Sequence, residues 1–132
     1  MKKLLLTCLL LPLMAHAAQW VSVGADSFSK SYIDTGSIVK NDAGQKAWSL
    51  VSYGAEQATQ DGVPYRSMKA LHVYSCKDRT TTLLSQVYYT EAMGKGPVAQ
   101  SFKYEKFLPE DIIPDSNLEG ALHAICKGKK KR

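Results

Sequence analysis

Apolar and polar positions alternate through most of the chain, and helical spacing appears only near its end. Residues 19–23, QWVSV, alternate and are followed by Gly24. Tyr32 and Ile33 belong to a short strand, 31–34, that stops at the turn signal Asp34-Thr35-Gly36. Residues 37–40 lead into Asn41-Asp42-Ala43-Gly44, a hairpin-type connection. The chain then returns as a strand over 46–53, with Trp48 and Leu50 on one face. Residues 54–65, GAEQATQDGVPY, carry no periodicity and are predicted to form a polar loop. In the long strand predicted over 66–76, Met68, Ala70, His72 and Tyr74 share one face and Leu71 and Val73 the other. After the charged turn Lys77-Asp78-Arg79 comes a strand over 80–90. Its Thr, Val and Tyr content suits a pleated surface, and Leu83, Val87 and Tyr89 are expected on its inner face. Gly94-Lys95-Gly96-Pro97 marks a turn before a last strand over 98–104.

The period changes after Pro114. Ser116 is the expected N-cap, and Glu119 three residues on completes a capping box. Leu118, Ala121, Leu122 and Ile125 then form one apolar stripe, with Cys126 at its end and Gly128 as the terminator. These elements predict an α+β domain: an antiparallel sheet of about six strands with a C-terminal helix packed on it.

The first seventeen residues have a different pattern. Lys2 and Lys3 precede a nearly unbroken apolar run from Leu4 to Leu13, and Ala15-His16-Ala17 supplies a small-x-small site. This order is that of a cleavable secretory leader, and the run is too short to span a bilayer. Cleavage is expected after Ala17, giving a signal peptide over 1–17, a domain over 18–126 and a basic tail over 127–132. A lipid anchor at Cys8 is not expected, because Thr7 stands where a lipobox needs a small residue and only four apolar residues would precede it. The mature protein is therefore expected in the periplasm or secreted.

Export changes how charge and cysteines are read. The whole chain has a formal net charge of +5 over 132 residues. Five of its cations, however, lie in the terminal KGKKKR, and two more leave with the leader. Residues 18–126 hold ten basic and twelve acidic side chains and are mildly acidic. The tail would attract anionic polymers such as acidic glycans. Nucleic acid is not an expected partner for an exported chain. Cys8 departs with the leader, and the remaining pair, Cys76 and Cys126, reads as a disulfide in an oxidising compartment. Such a bond would tie the end of the helix to the end of the 66–76 strand.

No set of residues for catalysis emerges. The mature chain has two histidines, His72 and His123, and no G-x-S-x-G elbow. A disulfide would consume both thiols. Glu110 and Asp111 are adjacent carboxylates in a proline-flanked loop. A metal site built from His72, Cys76, His123 and Cys126 is disfavoured. Positions 72 and 76 of a strand lie roughly 13 Å apart at about 3.3 Å per residue, whereas zinc ligands lie within about 2.3 Å of the metal. Neither a metal nor another cofactor is expected. Trp20, Trp48 and the tyrosines at 32, 53, 65, 74, 88, 89 and 104 are the more informative residues. A sheet that turned some of these outward would suit protein recognition.

An ordered set of residues then resembles the surface-adhesin protein E family of Gram-negative bacteria. It comprises Ala18-Gln19-Trp20-Val21-x-Val23-Gly24 after the leader, Tyr32-Ile33-Asp34, Ser37-Ile38, Trp48, Pro64-Tyr65-Arg66-Ser67-x-Lys69-Ala70, Cys76-Lys77, Leu84-Ser85, Tyr88-Tyr89, Met93-Gly94-x-Gly96, Pro114 and a helix ending at Cys126. The resemblance implies a small antiparallel sheet with a packed helix and one disulfide. It also implies a non-enzymatic adhesin that binds host matrix or serum protein, and a homodimer. The lipid anchor of the surface-attached kind is the feature this N-terminus lacks. A protein or acidic glycan ligand is expected, with Arg66, Lys69, Lys77 and Arg79 as exposed charges at the binding segment. The alternative is a periplasmic structural or assembly protein with no host ligand.

Overall fold

The computed structural model describes residues 17–105 and 107–127. Residues 1–16 of the expected leader, the terminator Gly128 and the tail from 128 onward lie outside the described residues. The chain runs β1 (Trp20–Ala25), β2 (Ser29–Asp34), β3 (Val39–Asn41), β4 (Gly44–Ala58), β5 (Pro64–Ser75), β6 (Thr80–Tyr89), β7 (Val98–Lys103), β8 (Glu110–Asp111) and helix α1 (Asn117–Cys126). All eight strands form one antiparallel sheet with the order β1-β2-β4-β5-β6-β7. The short β3 pairs with the start of β4, and β8 with the start of β6. Glu110 and Asp111 thus spend their backbones on a ladder with Thr81 and Thr80. The α+β class holds, with eight strands rather than six.

Residues 54–65 form much less loop than their composition suggests. β4 and β5 pair as far as Gln57↔Tyr65 and Ala58↔Pro64, so only residues 59–63 connect them. Thr59 closes this turn by donating its N–H to the Val63 carbonyl (2.9 Å), and Gly62, at φ 78°, donates back to Thr59. Proline is tolerated at the first position of a strand, where its missing N–H breaks no interior ladder bond. The segment is polar because this end of the hairpin projects past the core: Gly54, Ala55 and Glu56 are exposed.

Helix α1 starts where the capping box places it. Ser116 Oγ accepts from the Glu119 N–H at 3.2 Å. The Glu119 carboxylate reaches back to the N–H of Asp115 (2.6 Å), one residue before the N-cap, because Asp115 adopts φ 62° and turns its amide inward. The stripe Leu118, Ala121, Leu122, Ile125 then faces β1, β2 and β5. The core beneath it contains Ile33, Ala47, Tyr74 and Ile112. Gly120 sets how closely the helix approaches: a Cβ there would collide with the Val23 carbonyl oxygen of β1.

The register explains one reversal. Residues 68, 70, 72 and 74 face the helix as the alternation requires. Leu83, Val87 and Tyr89, in contrast, do not share a face. The β5–β6 register shifts by one between Leu71↔Ser85 and His72↔Leu83, leaving Leu84 as an extra residue. A bulge of this kind inverts the alternation beyond it. Leu83 therefore lies on the helix side and Val87 and Tyr89 on the other.

The opposite face is covered too. Leu50 and Ser67 are completely buried there. Residues 91–94 fold over them, held by hydroxyls of the sheet. Ser67 Oγ donates to the Glu91 carbonyl (2.6 Å) and accepts from the Gly94 N–H (2.7 Å), while Ser52 Oγ accepts from the Met93 N–H (3.0 Å). Met93 and Gly94 both take positive φ to make this turn.

Candidate functional site

The two cysteines of the domain are bonded. Cys76 follows the last residue of β5 and Cys126 ends α1, with their Cα atoms 5.9 Å apart. The bond therefore fixes the helix to the central strand of the sheet. It closes a loop with a sequence separation of 50, for which chain entropy gives about 4 kcal/mol of stabilisation. Both thiols are consumed, and no cluster of three metal-binding side chains occurs among the described residues. His72 lies under the helix with no hydrogen bond to Nδ1. Burial alone lowers its pKa to about 4, so the imidazole is neutral at physiological pH.

The four cations picked out in the sequence do not form one patch. Arg66 and Lys69 are half-buried rather than exposed. The Arg66 guanidinium donates to the Gly54 carbonyl at 2.7 Å, bracing the β4–β5 hairpin. Lys69 points to the face away from the helix. Its ammonium sits between the rings of Trp20 (5.6 Å) and Tyr89 (5.0 Å), a cation–π arrangement. Arg79 is exposed but pairs with Glu119 at 2.7 Å, joining the β5–β6 turn to the first turn of α1. Lys77 is exposed beside Cys76. Nine positions of strand separate Arg66 from Ser75, roughly 30 Å at the rise of a strand, and Lys77 lies in the turn beyond that end. Three of the four cations thus hold the domain's own elements together.

Aromatic side chains do converge. Six rings form a continuous row: Tyr53, Tyr65, Tyr88, Phe102, Tyr104 and Phe107. Successive centroids are 5.8, 4.7, 6.1, 6.3 and 4.6 Å apart. Four of the five contacts are edge-to-face, the geometry that ring quadrupoles favour. The row crosses β4, β5, β6 and β7 and continues into the segment after β7. Tyr88 pairs with Met68, and Phe102 with Gln86. Both rings therefore lie on the helix side of the sheet, beyond the region that α1 covers. The first five rings are half-buried, and Phe107 is exposed with its neighbour Leu108. Burial first, and then the nearby Tyr65, pushes the phenols of Tyr53 and Tyr88 up. Tyr104 Oη donates to Gln86 Oε1 at 2.9 Å, which fixes its ring.

The tyrosines of this row stand among the residues singled out in the sequence, but Phe102 and Phe107 do not. Phe102-x-Tyr104 is an alternating pair at the end of a strand, and that spacing was the available signal. Phe107 reaches the row only through the path of the chain after β7.

Comparison with known proteins agrees with this architecture. The family model described as Surface-adhesin protein E matches residues 20–127. The structure of Haemophilus influenzae protein E superposes with a TM-score of 0.60 at 20% identity, covering 80% of this chain and 88% of that one. Its crystal form II gives 0.58 at 20% identity, covering 84% and 96%. The crystal structure of protein E from non-typeable Haemophilus influenzae gives 0.59 at 20% identity, covering 89% and 82%. Curated protein sequences give no match. At this identity the structural likeness is one of fold. No helix among the described residues is long and apolar enough to cross a membrane. With the family match running from the first strand to the residue after the disulfide, the chain belongs to the surface-adhesin protein E family.

Proposed function

We propose that the mature domain is an exported, non-enzymatic binding module that recognises an extracellular host protein, from matrix or serum, through its aromatic row. The row carries this reading. Large rings held by their neighbours offer contact area at small entropic cost, and Tyr is enriched at interface hot spots. Membership of an adhesin family supports a binding role. An acidic glycan is a weaker fit to the segment around β5, because Arg66, Lys69 and Arg79 are engaged inside the domain.

The test is binding of the mature domain to immobilised matrix and serum proteins, with heparin in parallel, measured by biolayer interferometry. Tyr65→Ala removes the second ring of the row and Lys77→Ala removes an exposed cation of the β5 segment. The expected result is at least about a tenfold loss of affinity for the ring variant and a much smaller change for the lysine variant. Circular dichroism melts establish that both are folded. Binding no stronger than that of a control domain of equal charge would sink the adhesive reading and favour a periplasmic structural role. Loss confined to heparin and to Lys77→Ala would move the site to the charges.

A further inference from the structure

Between α1 and the sheet lies a cavity of about 240 Å³. Its walls are mainly carbon, from Val23, Val51, Met68, Ala70, Leu118 and Ala121. Two polar atoms among its lining residues have no hydrogen-bond partner, Ser31 Oγ and His72 Nδ1, while Tyr74 Oη faces the Ser49 hydroxyl. Ser31 is 3% exposed and Tyr74 0%. The Ser49 hydroxyl, which also lines the space, donates instead to the Ala70 carbonyl at 3.3 Å. Buried polar groups in native proteins are nearly always paired, so two unpaired groups around one space require an account.

We propose that this cavity is a binding site for a small, uncharged, largely apolar molecule carrying one hydroxyl or amide group. Size comes from the volume. A cavity of about 150 Å³ accepts benzene, and drug-sized ligands take upwards of about 300 Å³. The occupant is therefore a single ring with a short substituent, or a short branched chain. Charge comes from the lining, which contains no Lys, Arg, Asp or Glu. An ion placed there would lose its hydration with no counter-charge in return. Polarity comes from the two unpaired atoms. One is a hydroxyl, able to donate and to accept, and the other is a nitrogen of an imidazole held neutral by burial. A hydroxyl or amide on the ligand can satisfy these atoms while its carbon body lies against Met68 and Leu118. Asn117, exposed at the start of α1, stands at the mouth. No ring of the aromatic row lines the cavity, although Gln86, which holds Tyr104, does, and the chemical shifts that test the site are read at residues outside that row.

The test uses the disulfide-bonded mature domain and three probes: p-cresol, toluene and p-toluate, followed by amide chemical-shift titration. Saturable shifts of Ser31, Ala70, His72 and Leu118 are expected with p-cresol, and binding of p-toluate weaker by at least about tenfold, because its charge is desolvated. Ala121→Met should abolish the p-cresol shifts by filling the space. Ser31→Ala changes only one atom, and it keeps the test decisive should the filled variant not fold. It should weaken p-cresol about tenfold and leave toluene unchanged. Failure of p-cresol to saturate, equal affinity for p-toluate, or an ordered water that p-cresol does not displace would each overturn the proposal.

Discussion

The buried imidazole of His72 makes the stability of the domain depend on pH in a range where few other groups titrate. An unfolded histidine binds a proton below about pH 6.5, whereas folded His72 does so only below about pH 4. Between these values acid protonates the unfolded chain and not the native one, so stability falls as pH falls and is fully present above pH 6.5. A shift of this size sets a ceiling of roughly 3 kcal/mol, with about 1 kcal/mol lost by pH 5.5 and about 2 by pH 4.5. The lowered carboxyls of Asp26 and Glu119 contribute at the acid end of this window, since their stabilisation is lost as pH falls through their ordinary values of 3.8 and 4.5, and they do so equally in a variant at position 72. The assay is urea denaturation of wild type and His72→Met at half-unit steps from pH 7 to 4.5. The variant should lose about 2 kcal/mol less than wild type across the series. Parallel curves for the two proteins, or a titration of the His72 imidazole centred near 6.5 in the folded domain, would refute the argument.

Two further outcomes follow from the packing. Replacing Cys76 and Cys126 together with alanine should lower the unfolding free energy by about 4 kcal/mol through release of the closed loop, read from denaturant midpoints with and without reductant on wild type. Ser67→Ala should cost roughly 2–4 kcal/mol, because it strands the Glu91 carbonyl and the Gly94 N–H that this hydroxyl serves. Hydrogen exchange should quicken at residues 91–94 in that variant before it does elsewhere, and unchanged exchange there would count against the pinning role.

Local chemistry was the part of this fold legible in the sequence. The capping box at Ser116 and Glu119 fixes the start of α1 from four adjacent residues. The face of β5 follows from simple alternation, and the disulfide from cysteine count and export. What could not be read depends on partners distant in sequence. Residues 54–58 and Pro64 look like loop because they carry no apolar alternation, yet Gln57 and Ala58 pair with Tyr65 and Pro64 across the hairpin and draw the segment into strand. The bulge at Leu84 has no glycine or proline to announce it, and one extra residue moved Val87 and Tyr89 to the other face. The four cations illustrate the same limit. Their charge was evident, but Gly54, Trp20, Tyr89 and Glu119, which engage three of them, lie between 12 and 49 positions away. The aromatic row was half legible for the same reason, since its tyrosines were visible as a class while their order across four strands is a property of the register.

The bond between Cys76 and Cys126 also decides how the domain would carry tension. A pull applied between Trp20 and Lys127 enters β1, crosses to Cys76 at the end of β5, and passes straight through the sulfurs to Cys126. The intervening 50 positions, worth on the order of 170 Å of extended chain, cannot be drawn out. Four of the six rings, Tyr88, Phe102, Tyr104 and Phe107, sit inside that bypassed segment. Under flow, the strands that present most of the row would stay slack while β1 to β5 bear the strain, and a reducing environment would remove that shelter.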